Sequence, residues 1–233
     1  MSIDLLERAA AALGPLVDDV VFVGGATVVL WITDPAAPAP RPTKDVDVVA
    51  EVFTRAGLHA FEQRLRDAGF REDQQSTVIC RWRHGPGDWN DLVLDVMAAD
   101  ATLMGFANRW QAEALPHAVD RRLPSGTTIR AASPPYLVAT KLEAFRGCGG
   151  GDHLMSADLE DIVTLVDGRA EIVNETRGAP SRVRDYLAAE LGALLDERDF
   201  RQAIAGFLRP DAASQARADG VVLPRLRTLA DLG

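Results

Sequence analysis

Two aspartates stand one residue apart in Thr43-Lys44-Asp45-Val46-Asp47-Val48. On a strand, residues i and i+2 share a face, so Asp45 and Asp47 project side by side while Val46 and Val48 turn the other way. Adjacent carboxylates repel and call for a cation. Paired carboxylate oxygens suit Mg2+ or Mn2+; the plain alternative is a strand edge whose polar face meets water. A third acid, Asp95, is embedded in Leu92-Val93-Leu94-Asp95-Val96-Met97. So apolar a run obliges the carboxylate to find a partner. Either a metal shared with Asp45 and Asp47 supplies it, or an arginine across a hairpin does, Arg81 or Arg83. Asp91, at the end of the same hairpin, is expected to be exposed.

Other residues add to this set. Gly24-Gly25 follows the apolar run Val20 to Val23. Glycines at that place let backbone N–H groups approach a phosphate closely, and they equally make an ordinary tight turn. Lys141 lies among Leu137, Val138, Leu142 and Phe145, and Asp161 lies in Leu159-Glu160-Asp161-Ile162-Val163. A lysine can bind phosphate as a point charge, with Asp161 orienting it; an interhelical ion pair accounts for the same two residues. The chain has twenty-three arginines and two lysines, Lys44 and Lys141. In so arginine-biased a chain, the surviving lysines mark places where a compact ammonium is wanted.

The elements that must position these residues are read from periodicity. Residues 3–13 have helical spacing, Val20 to Val23 is a buried strand, and Ala26 to Ile32 is a short helix. Four prolines in residues 35–42 demand an extended loop. Asp45 to Val52 reads as a strand, Arg55 to Ala68 as an amphipathic helix with Gly69 as its cap. Thr77 to Arg83 and Asp91 to Met97 read as strands of a hairpin around Gly85-Pro86-Gly87-Asp88. Thr127 to Ala131 is one more short strand. Helices follow from Pro134-Pro135 to Phe145, from Ser156 to Val166, over Arg182 to Leu195 and over Phe200 to Leu208. Gly147 to Gly151 is a glycine-rich break. Residues 1–131 are therefore mixed α and β, and residues 132–233 form a helical lobe: an α+β chain.

Composition sets outer bounds. The chain has 233 residues, is 47% hydrophobic and carries a net charge of −9. That charge argues against a general nucleic-acid coat, which needs clustered cations. One stretch differs: residues 41–83 hold eight cations against seven acids, with arginines at 64, 66, 71, 81 and 83. These form either solvated surface or a patch facing a ligand. Cys80 and Cys148 are too few for a disulfide framework or a four-thiolate zinc site. The four histidines lack metal-ligand spacing, and Trp82, Trp89 and Trp110 read as core or hairpin packing. Without an apolar run of membrane length or a basic, apolar leader, a soluble cytoplasmic protein with no membrane partner is expected.

In order, Val23-Gly24-Gly25, then Asp45-Val46-Asp47-Val48, then Leu94-Asp95-Val96 resemble the pattern of the DNA polymerase β-like nucleotidyltransferase superfamily. Tyr136 to Phe145 followed by Asp158-Leu159-Glu160-Asp161-Ile162 is similar to the AbiEii/AbiGii-type (MenT-like) nucleotidyltransferases, which include toxins of type IV toxin–antitoxin systems. The resemblance covers roughly residues 15–170. It implies a nucleotidyltransferase-fold mixed sheet with flanking helices, followed by a helical C-terminal region. It implies that Gly24 and Gly25 hold an NTP, that Asp45, Asp47 and Asp95 serve as metal ligands for Mg2+ or Mn2+, and that Lys141 contacts phosphate with Asp161 near the nucleotide. Ala26 stands where the family often has Ser or Thr, and Thr27 offers the nearest hydroxyl. The family's better-studied members modify the 3′ end of tRNA, so the resemblance makes tRNA the first acceptor expected, with a cognate antitoxin as partner. A small molecule such as an aminoglycoside is the alternative acceptor, and a non-catalytic binding protein on the same fold is the rival of another class.

Overall fold

The structure is a computed structural model that describes residues 2–104, 108–148 and 152–233. It is α+β: a seven-stranded mixed sheet with flanking helices, and a helical C-terminal region. The chain divides into two compact units, Met1–Leu30 with Pro42–Ser133, and Trp31–Arg41 with Pro134–Gly233. Sequence reading places residues 31–41 in the N-terminal region, whereas their contacts put them in the second unit.

The first unit holds the strands β1 (Val20–Val23), β2 (Asp45–Ala50), β3 (Arg71–Glu72), β4 (Arg81–His84), β5 (Leu92–Ala98), β6 (Ala118–Arg122) and β7 (Thr128–Ala132). Their order is β3-β4-β5-β2-β1-β7-β6. β2 runs parallel to β5 and antiparallel to β1, and β4 is antiparallel to β5. Burial in β2 alternates at its start: Val46 and Val48 are fully buried while Asp45 and Asp47 are partly exposed. Among the described residues, three α-helices accompany the sheet: α1 (Ser2–Leu13), α2 (Arg55–Asp67) and α3 (Arg109–Ala114). α1 buries Leu6, Ala9, Ala10 and Leu13, a stripe at helical spacing. α2 starts at Thr54, whose side chain accepts the Gly57 N–H, and buries Phe61 and Leu65.

The hairpin β4–β5 is present, but its first strand begins at Arg81, not at Thr77. Residues 73–79 are a loop that makes its own hydrogen bonds. The Asp73 carboxylate accepts the Gln75 N–H, the Ser76 hydroxyl accepts the Val78 N–H, and the Ser76 N–H donates to the Asp73 carbonyl. Asp and Ser side chains that satisfy the backbone locally compete with a strand ladder, and here they outweigh the β propensity of Val78 and Ile79. Ile79 is 71% exposed as a result.

The second unit contains α4 (Pro134–Cys148), α5 (Ala157–Gly168), α6 (Ile172–Gly178), α7 (Ser181–Asp196), α8 (Arg198–Gly206), α9 (Ala212–Arg217) and α10 (Leu223–Ala230). α5 is capped by Ser156, whose hydroxyl accepts the Leu159 N–H. α4 packs on α5, α6 and α7, and α7 on α10. The segment 31–41 is tied into this unit at the end of α5: the amides of Thr33 and Asp34 both donate to the Gly168 carbonyl at 2.9 Å. Helix α4 continues through Gly147 and Cys148; the expected glycine-rich break falls partly on residues 149–151, outside the described residues.

Candidate active site

One row of register partners crosses four adjacent strands: Val23 of β1, Asp47 of β2, Asp95 of β5 and Arg81 of β4. Partners directly opposite share a sheet face, so the two carboxylates and the guanidinium project together. Asp45 joins them two residues along β2. The three acids singled out by sequence are thereby brought to one face of the first unit.

Asp95 is 6% exposed, and its obligatory partner is the arginine across the hairpin. Arg81 Nε donates to Asp95 Oδ1 at 2.8 Å and Nη2 to Oδ2 at 2.7 Å. The same Nη2 reaches Asp45 Oδ2 at 2.8 Å. The Asp95 hydrogen bonds, more than the surrounding burial opposes, hold the Arg81 guanidinium above its ordinary pKa. Nearby Cys80, buried at the head of β4, has its thiol pushed up to about 12, first by burial and then by the negative charges of Asp95 and Asp47. Among the described residues, no three His, Cys, Asp or Glu side chains converge as they stand to hold a metal; Asp45 and Asp95 both turn toward Arg81.

Gly24 follows β1 with φ +72°, and a Cβ there would lie 1.9 Å from Asp47 Oδ2. Only glycine allows this close approach of backbone and carboxylate. Gly24 is half-buried, while Gly25 is buried in the 3₁₀ turn Gly25–Leu30. The expectation for Thr27 is corrected: it is fully buried, and its hydroxyl donates to the Gly24 carbonyl at 2.8 Å. The hydroxyl stabilises the turn and is not turned to a ligand.

A cavity of about 730 Å3 in this unit is lined by Asp45, Lys44, Thr43, Arg8, Arg81, Arg83 and Trp89, among others. The Thr43 hydroxyl is buried with no hydrogen-bond partner among the described residues. Hard carboxylate oxygens, a glycine cradle against Asp47 and an orphaned hydroxyl beside Asp45 form a donor set that fits an oxygen-seeking divalent cation. Asp91, expected exposed, is 8% exposed. It accepts the Gly87 amide and pairs with Arg71, and together these hold its carboxyl below the usual range against the opposing effect of burial. Trp82 and Trp110 are buried as expected, but Trp89 is 93% exposed.

In the second unit Lys141 and Asp161 do meet. Lys141 Nζ lies 2.8 Å from Asp161 Oδ2 and 2.9 Å from Asp158 Oδ1, which is the interhelical ion pair between α4 and α5. Asp161 is 2% exposed. Its other cation went unrecognised in the sequence: Arg41 grips both oxygens, Nε to Oδ1 at 3.0 Å and Nη2 to Oδ2 at 3.1 Å. Burial works against the Arg41 charge, yet the Asp161 carboxylate outweighs it and raises the pKa. A proline-rich loop gives no periodic signal, so nothing in the sequence marks Arg41 as part of this cluster.

The arginines at 64–83 all carry acidic partners: Arg64 with Asp19, Arg66 with Glu72, Arg71 with Asp91, Arg81 with Asp45 and Asp95, and Arg83 with Asp73. No known family model matches this chain, and no curated protein matches it either.

Proposed function

We propose that this protein is a metal-dependent nucleotidyltransferase of the AbiEii/AbiGii type, moving an NMP from an NTP to an acceptor hydroxyl. The observation that carries the reading is the placement of Asp45, Asp47 and Asp95 on one face of two parallel strands, beside the Gly24 turn. Asp45 and Asp47 would hold Mg2+ or Mn2+. Bound there, such an ion polarises a phosphoryl oxygen and acidifies an acceptor hydroxyl. The acceptor oxygen bonds to the α-phosphorus, and the bond from that phosphorus to the departing pyrophosphate breaks. The hydroxyl proton passes to a carboxylate or to water. Asp95, the register partner of Asp47, is the additional carboxylate on this face, and it would take the proton on a lone pair that Arg81 leaves open. Gly24 supplies backbone without a side chain next to Asp47. Lys141, assigned to phosphate by the resemblance, serves that role only by releasing Asp158 or Asp161.

For the acceptor, the resemblance favours the 3′ end of tRNA, in a toxin restrained by a cognate antitoxin. A second reading has an observation of its own. The five arginines at 64, 66, 71, 81 and 83 each pair with an acid, and the chain carries −9 overall. That balance suits a small cationic acceptor such as an aminoglycoside better than a polyanion. One experiment separates the readings: each α-labelled NTP with Mg2+ and either total tRNA or an aminoglycoside panel. Label on tRNA supports the first reading and label on a small molecule the second. In either case Asp45→Ala and Asp47→Ala should cut the rate by about a hundredfold or more. No labelled acceptor under any condition would leave a non-catalytic binding protein.

A further inference from the structure

Arg81 is bonded to two carboxylates in unequal ways. Asp95 is buried and held by two parallel N–H···O bonds, from Nε and Nη2. Asp45 is half-buried and held only through Nη2, the nitrogen already engaged with Asp95. A guanidinium presents its donors in a fixed planar fork, so a bidentate carboxylate on one edge is the strong arm, and a shared nitrogen reaching a second, solvated carboxylate is the weak one. Asp45 is thus the acid Arg81 gives up first. It is also one of the two acids assigned above to a divalent cation, and a cation on Asp45 would stand within a few ångströms of a guanidinium of the same sign.

We propose that Arg81 is an internal counter-cation that competes with a divalent cation for Asp45. It stays on Asp95 in both states and releases Asp45 when the metal arrives. Arg81 is then a positioning residue: it fixes Asp95 on the sheet face and sets how readily Asp45 accepts a metal. The inference rests on the metal reading of Asp45 and Asp47. It goes beyond that reading by making the affinity for the ion depend on a residue that never touches it.

The test measures free Mn2+ by electron paramagnetic resonance at low ionic strength, without nucleotide, in the wild type and in Arg81→Gln. Glutamine keeps a hydrogen-bond donor for Asp95 and removes the charge. Arg81→Gln should bind Mn2+ roughly tenfold more tightly than the wild type, and Asp47→Asn should lose the site. Should the glutamine variant fail to fold, nitrogen-15 NMR of the wild-type guanidinium signals gives the second reading. Mg2+ should shift the Arg81 Nη resonances while its Nε–H stays protected. Equal or weaker Mn2+ binding in the variant, or Nη signals unmoved by saturating Mg2+, would overturn the competition and leave the metal site standing. Absence of Mn2+ binding in every protein would instead overturn the metal reading itself.

Discussion

At the residue scale, Gly24 and Asp47 depend on each other. A side chain at position 24 meets two penalties at once: a left-handed backbone, costing about 1–2 kcal/mol in a residue with a Cβ, and collision with the Asp47 carboxylate. Gly24→Ala should therefore lower the melting temperature and displace Asp47, and under the proposed metal reading it should also abolish divalent-cation binding. A variant that melts like the wild type and still binds Mn2+ would contradict this. Cys80 reports on the same carboxylates. Its thiol ordinarily ionises near 9.0 and is pushed up to about 12 in the fold. In a Cys148→Ser background, iodoacetamide at pH 8 should label the unfolded chain and spare the folded one. The raised value also fixes a sign. Between about pH 9 and 12 the folded thiol keeps a proton that the unfolded one has lost, so this group's contribution to stability falls as pH rises through that window.

At the scale of elements, legibility followed how strictly each segment obeys one period. Strand β2 and helix α2 were readable because Val46 and Val48, or Phe61 and Leu65, recur at the spacing their burial requires. Strand β3, two residues long, carries no period at all. The Val78-Ile79 pair misled because local Asp and Ser hydrogen bonds decide that loop. Asp95 could be recognised as needing a partner, but periodicity does not choose between Arg81 and Arg83; the β4–β5 register does, setting Arg81 opposite Asp95 and Arg83 opposite Val93. The segment 31–41 was least readable, because long-range polar contacts place it. Arg217 at the end of α9 bonds Asp34 in that segment and Asp167 of α5, at 2.6 and 2.7 Å. Asp167 is fully buried, and burial raises its pKa despite Arg217. Arg217→Ala leaves that carboxylate unpaired and should destabilise the second unit by about 3 kcal/mol, readable by urea unfolding at pH 7. An acid whose folded pKa lies above the unfolded value favours the fold most at low pH. The deficit should therefore shrink as the pH falls toward 4, and a deficit constant with pH would show that lost packing, not charge, is responsible.

At the scale of the whole molecule, the −9 charge and the arginine content meet in local pairing: the five arginines at 64–83 each sit on an acid, and Arg8, Arg121 and Arg225 donate to backbone carbonyls. Sequence composition counted the charges without showing which were matched. Among the described residues no helix is long and apolar enough to cross a membrane. Three of the four tryptophans, Trp31, Trp82 and Trp110, are buried, and Trp89 is 93% exposed in the wall of the cavity that Asp45 also lines. That asymmetry gives the protein a built-in optical probe. Acrylamide should extinguish one component of the native emission and leave the rest, giving a downward-curving Stern–Volmer plot. Trp89→Phe should straighten it, and unfolding should make all four indoles quenchable. A substrate entering beside Asp45 would then announce itself as light lost from a single indole, with no label attached to either partner.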